Sequence, residues 1–294
     1  RQNDVKGSTY EYYKILSVMG GIPWYLEQLT HTQLADQRIL ELCFQPNGLL
    51  VNEFDRIFHD LFGHYGAIYK RIIYSLRDRM LSQSEIRKTL NYPHSGTLSK
   101  HIHNLILSGF VTEHFQWSLK SGNIGRQSLY RLSDQYVRFY LRYIEPNLPI
   151  IRRGDFDTNE LVKLPGWDSI MGLQVESLLL QNRSLLLESL DIKGQNIIAD
   201  NPYMQKSTTR RKGCQIDYLI QTNQRNLFIC EFKFNRGEIG REIITAMTEK
   251  LKNFSAPEGF AKIPVLFHMG DIRESVYNDK FFYRTVNIQD YLTF

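Results

Sequence analysis

The chain has 294 residues, with 36 Lys and Arg against 31 Asp and Glu, a formal net charge of +5, and 42% hydrophobic and 23% charged residues. These fractions exclude a disordered or fibrous polypeptide, and no apolar run approaches the ~20 residues of a membrane-spanning helix. The three cysteines, Cys43, Cys214 and Cys230, lie far apart with no C-x-x-C, and there is no secretory signal. This predicts free thiols, a reducing cytoplasmic setting and no membrane partner. The length suffices for two domains with separate cores, and the mild positive excess is compatible with a nucleic-acid partner.

In chain order, residues 10–19 and 23–29 read as two short helices around the string MGGIPWYL. Gly20 and Gly21 permit the turn, and Pro23 suits the first turn of the second helix, where its missing N–H is no loss. GGIPWYL resembles the G-x-P signature in the helical lid of STAND and AAA-type ATPases, notably prokaryotic ones. The resemblance implies that Gly21 and Pro23 contact a bound nucleotide, with the proline near the base. No G-x-x-x-x-G-K-[ST] loop occurs in the chain, so ATP hydrolysis is not expected from it alone. ATP would enter only through an ATPase domain N-terminal to Arg1, and the chain is expected to be the C-terminal part of a longer protein.

Residues 64–77 form an amphipathic helix pattern, with Ile68, Ile72, Ile73 and Leu76 at helical spacing. Ser82 followed by Glu85 is a capping box for a short helix ending at Leu90. Pro93 and Gly96 break the chain, and a second helix spans 96–107, ended by Gly109. A strand over 110–117, a turn at SGNIG and a return strand over 128–132 complete a winged helix-turn-helix pattern. This order resembles the winged-helix module that follows the lid in the same ATPase family. The run YRLSDQYVRFYLRYIEPN is similar to that family's segment after the wing. The second helix offers Ser99, Lys100, His101, His103 and Asn104. Arg87 and Lys88 before it, with Lys120, Arg126 and Arg131 in the wing, supply cations for phosphate contacts. Double-stranded DNA is the expected partner, with protein contacts as the alternative. The histidines have no metal-ligand spacing, and no zinc site is expected.

Composition shifts put domain boundaries near 30–32 and 146–155, dividing the chain into 1–31, 32–150 and 151–294. The last segment carries a helical stretch, MGLQVESLLLQN, with Glu176. Two apolar strands follow, QIDYLI with Asp217 and ICEFKF with Glu231 and Lys233, separated by a loop over 221–226. Side chains two apart on a strand share a face, so Glu231 and Lys233 are neighbours. Charges in otherwise apolar strands need partners. Two carboxylates can hold Mg²⁺, and a lysine can orient an attacking water. A helix over 239–254 and a strand over 263–269 come next. The cationic run Arg210, Arg211 and Lys212 precedes the Asp217 strand and reads as a phosphate-steering loop.

This pattern resembles the PD-(D/E)xK nuclease-like superfamily over roughly residues 164–294. Ile216 stands where the motif's name has proline. The resemblance implies an α+β multidomain chain with an all-α lid, a winged helix-turn-helix and a C-terminal restriction-endonuclease-like α/β domain around a mixed sheet. It implies catalytic roles for Glu176, Asp217, Glu231 and Lys233, with Asp217 and Glu231 ligating Mg²⁺. The function expected is a Mg²⁺-dependent DNA endonuclease. The alternative is a non-catalytic DNA- or protein-binding regulatory module controlled by the ATPase domain.

Overall fold

The computed structural model describes residues 8–27, 34–94, 96–157, 161–192, 196–209, 212–234 and 237–292. The chain is α+β, with a helical N-terminal region and a C-terminal mixed sheet. It divides into two compact units. One comprises Arg1–His114 with Ser128–Gln174, and the other Phe115–Gln127 with Val175–Phe294.

The first unit opens with helices α1 (Thr9–Met19) and α2 (Pro23–Glu27). Between them Gly20 adopts φ 66° and donates its N–H to Leu16 O at 2.8 Å, closing α1 where a side chain would be strained. Helices α3 (Ala35–Cys43), α4 (Glu53–Phe62) and α5 (Gly66–Ser75) follow. Strand β1 (Leu81–Ser82) leads into α6 (Gln83–Leu90), whose capping box forms as the sequence predicts. The Ser82 N–H donates to Glu85 Oε2 at 2.7 Å, and the Glu85 N–H donates to Ser82 Oγ at 3.3 Å. Helix α7 (Thr97–Leu107) and strands β2 (Val111–Trp117) and β3 (Ile124–Leu132) come next, in a small sheet of order β1-β3-β2. The run after it is α8 (Gln135–Phe139), a π-helical stretch (Tyr140–Ile144) and α9 (Glu145–Arg153). Asp134 caps α8 by accepting the Val137 N–H at 2.7 Å. The Pro- and Arg-rich stretch after Ile144 is therefore mostly helix, with Gly154 in the left-handed region as its cap. Stacked rings of Phe54 and Tyr140, 4.4 Å apart, lie in this unit's core.

Helix α10 (Trp167–Gln181) leads into the second unit, followed by α11 (Arg183–Ser189). Strands β4 (Ile197–Gln205), β5 (Cys214–Thr222) and β6 (Asn226–Phe234) pair antiparallel in sequence. Helix α12 (Glu242–Asn253) then crosses over to β7 (Ala261–Met269), which runs parallel to β6, as a crossover helix allows. Helix α13 (Glu274–Asn278) precedes β8 (Arg284–Asn287), and the sheet order is β4-β5-β6-β7-β8. Central strands covered on both faces read as nearly continuous apolar runs, which is why β6 and β7 do. Ile216, Leu219, Leu227 and Ile229 pack with Met247 of α12 and its C-cap Phe254, and Trp117 and Leu119 of the β2–β3 hairpin join the same core. Each such side chain contributes about 1.5–3 kcal/mol through burial. The indole N–H of Trp117 donates to Gln221 Oε1 at 2.6 Å, and Gln221 Nε2 donates to Leu119 O at 3.0 Å.

Candidate active site

The β5–β6 ladder pairs residues 218–221 with 227–230. Just past its end Asp217 reaches across to β6, accepting the Phe232 N–H on Oδ2 at 3.1 Å. Asp217 shares a face with Leu219, and Leu227, Ile229, Glu231 and Lys233 alternate onto that same face. The apolar members of this row enter the core against α12, and the polar members continue it. Lys233 Nζ lies 3.0 Å from Glu231 Oε1, with the lysine side chain 42% exposed and the glutamate 11%. The other glutamate oxygen, Oε2, accepts from Lys250 Nζ of α12, and that ammonium is also 4.0 Å from Asp217 Oδ1. Glu176, on α10, acts on Asp217 through its charge.

Two carboxylates, Asp217 and Glu231, thus meet two ammonium groups, Lys233 and Lys250. Burial pushes the Asp217 carboxyl up to about 7; Glu231 adds to the rise, Lys250 opposes it, Glu176 adds again, and the Phe232 N–H opposes. Burial would raise Glu231 too, but Lys250 and then Lys233 outweigh it and hold its carboxyl below the usual range. Burial works against the Lys250 ammonium, yet Asp217 and Glu231 together raise its proton affinity. The cluster therefore keeps Glu231 ionised and Asp217 poised between its two protonation states near neutrality.

Among the described residues no group of three or more His, Cys, Asp and Glu side chains is arranged to hold a metal ion. The donor set for a divalent cation is the carboxylate pair of Asp217 and Glu231. Mg²⁺ accepts such a set, since it keeps several waters and takes one or two protein carboxylates. The fit is therefore to a two-carboxylate site from which the Lys250 ammonium would have to withdraw.

The remaining candidates are dispersed. Gly21 and Pro23 sit at the α1–α2 turn, Gly21 exposed with open space where a side chain would be. Arg87, Lys88, Ser99 and Lys100 belong to the first unit. Lys88 and Lys100 are exposed, Arg87 is half-buried with Nη1 3.4 Å from His94 Nδ1, and Ser99 accepts from Gln83 Nε2 at 2.6 Å. Lys120 and Arg126, at the tip of the β2–β3 hairpin, belong to the second unit and are exposed. Lys212 is exposed there too, 3.8 Å from Glu249 Oε1, whereas Arg210 and Arg211 lie outside the described residues. Two expectations are corrected. His101 does not face solvent but is buried edge-on against Tyr69. Arg131 is buried, with Nη2 3.4 Å from Leu173 O, and is no exposed wing cation.

No family model matches the chain. Over 157 residues, 51% of this chain, it is 28% identical to Uncharacterized protein MJECL04 of Methanocaldococcus jannaschii; the match spans 33% of that relative's length. Human N-acetylserotonin methyltransferase in complex with SAM aligns with 84% of this chain and 67% of its own at 10% identity, but its TM-score of 0.20 carries no structural likeness. No helix of the described residues is long and apolar enough to cross a membrane.

Lys250 is the site residue that the E-x-K pattern does not contain. Its signal lies in the helix instead. Ile243 and Met247 form the buried stripe of α12, continued by its C-cap Phe254, and position 250 falls on that stripe at helical spacing. A lysine there must find carboxylates or leave its charge unpaired in the interior.

Proposed function

We propose that the C-terminal unit is a PD-(D/E)xK-type nuclease domain that hydrolyses DNA phosphodiesters with Mg²⁺. The helical part ahead of it would act as lid and winged helix-turn-helix on duplex DNA, under the control of an ATPase domain of the same full-length protein. The observation that carries this reading is the convergence of Asp217, Glu231 and Lys233 on one polar cluster at the end of an apolar sheet face. Asp217 and Glu231 are the groups that would hold the cation. A Mg²⁺ ion held by them would supply positive charge to the phosphoryl oxygens and make a bound water more acidic. Lys233, half in solvent and tethered through Glu231 at 3.0 Å, orients the attacking water. That water's oxygen would bond to phosphorus and give up a proton to solvent as one P–O ester bond breaks, and the departing alkoxide would take up a proton from solvent.

One observation favours a second reading, a non-catalytic DNA- or protein-binding regulatory module. The Lys250 ammonium already neutralises Glu231 and lies near Asp217. Cleavage of plasmid DNA with Mg²⁺ or Mn²⁺, wild type against Lys233→Ala, separates the two. Cleavage lost in the variant supports the nuclease. Equal silence of both proteins, with salt-dependent duplex binding retained, supports the module.

A further inference from the structure

Between α13 and the edge strand β8 lies an open cavity of about 260 Å³ whose lining includes Tyr277, Lys280, Phe282, Tyr283 and Arg284. Its chemistry differs from the surrounding surface in two ways. First, its lining contains two cations and no carboxylate. Neighbouring cations are neutralised: Arg241 pairs with Asp279 at 2.5 Å and Arg273 with Glu238 at 2.7 Å. Lys280 and Arg284 are exposed and form no ion pair among the described residues. Second, Tyr277 and Tyr283 are 50% and 56% exposed, two aromatic rings left open on one small concave surface.

The platform is held in place from below. Phe282 packs into the core beneath α12. The Tyr283 N–H donates to Pro264 O at 2.9 Å, and its ring meets Phe228 at 5.6 Å. Lys280 sits in the left-handed region at φ 50°, its N–H bonded to Tyr277 O at 3.1 Å, so a tight turn sets the cation beside the tyrosine. Phosphate selects unneutralised cations, and a planar base selects open aromatic faces. Both features converge on one cavity, and its volume suits one nucleotide and not a duplex.

We propose that this cavity is a nucleotide-binding subsite, with the base on Tyr277 or Tyr283 and the phosphate on Lys280 and Arg284. The nucleotide is either free or one unit of a single strand. The subsite shares no residue with the Asp217–Glu231 cluster, so it stands or falls apart from cleavage.

The test titrates the full chain at low salt with a short fluorescein-labelled oligothymidylate, read by anisotropy, and with AMP, read by calorimetry. Two double variants are compared, Tyr277→Ala with Tyr283→Ala, and Lys280→Ala with Arg284→Ala. All four side chains are at the surface, and circular dichroism checks that the fold is retained. The expected result is roughly tenfold weaker binding in the tyrosine variant, with a shallower salt dependence in the cation variant. Binding of oligothymidylate alone assigns the site to strands, and binding of AMP as well assigns it to free nucleotides. If wild type binds neither probe, or if both variants bind within twofold of wild type, the subsite is refuted.

Discussion

Replacing Asp217 by Asn tests the electrostatics of the cluster without emptying it. Asparagine keeps an acceptor oxygen for the Phe232 N–H, which now reaches Asp217 Oδ2 at 3.1 Å, and nearly the same volume. It removes one crowded negative charge. The Asp217 carboxyl is raised from 3.8 to about 7 in the folded chain, so between those values the folded state binds more protons than the unfolded state. Stability must then fall as pH rises through that window. The contribution is nil below the unfolded value, where both states are protonated, and complete above the folded one. At ~1.4 kcal/mol for each tenfold change in proton affinity, the destabilisation of wild type above neutrality reaches ~4 kcal/mol. That is a large part of the ~5–15 kcal/mol that holds a typical domain together. The assay is urea denaturation followed by circular dichroism from about pH 4 to 8 without divalent cations. Asp217→Asn should match wild type at the acid end and exceed it by up to ~4 kcal/mol at the alkaline end. Glu231 works in the opposite sense: its lowered carboxyl contributes stability above its unfolded value that is lost as pH falls, in both proteins. A variant less stable than wild type at the alkaline end, or a gap that does not change with pH, would refute the reasoning.

Other outcomes follow from the same geometry. Lys250→Met removes the ammonium from two carboxylates whose side chains are 11% and 16% exposed, and breaking such a buried pair should cost about 3 kcal/mol in metal-free buffer. Mg²⁺ should restore more of that loss than it adds to wild type, about 2.7 kcal/mol at a hundredfold excess over Kd, read as a shift in Tm. Trp117→Ala removes an indole that is 5% exposed and bonded to Gln221, and denaturant titration should register a loss of about 3–5 kcal/mol. Ser82→Ala breaks the capping box of α6 and should cost about 1 kcal/mol in the same measurement.

Much of the fold could be read from local rules. The Ser82–Glu85 box, the turn at Gly20 and Pro23, and the strand pair holding Asp217, Glu231 and Lys233 each follow from a few adjacent residues and a fixed periodicity. What escaped depends on distant partners. Lys250 lies 19 residues from Glu231, and nothing in a nearest-neighbour pattern ties a helix lysine to a particular strand. Strand β4 carries no clean alternation, because IIADNPYMQ contains Pro, Asn and Asp. Its pairing shifts register between Ile197 and Ala199 and again between Asn201 and Tyr203, and an edge position tolerates the proline. Strand β8, four residues long, is too short for alternation to register. The burial of His101 and Arg131 is not legible in the sequence, because helical or strand position alone does not say which polar side chain the core will enclose.

The Trp117–Gln221–Leu119 connection has a consequence for heredity. The β2–β3 hairpin tip shares its core with Ile216 and Leu219, so a recombination break near residue 150 would strand an indole on one offspring and leave an uncovered apolar floor on the other. The hairpin tip and the five-stranded sheet can therefore be exchanged between lineages only as a joint inheritance, although 47 other residues (128–174) separate the tip from the rest of its unit.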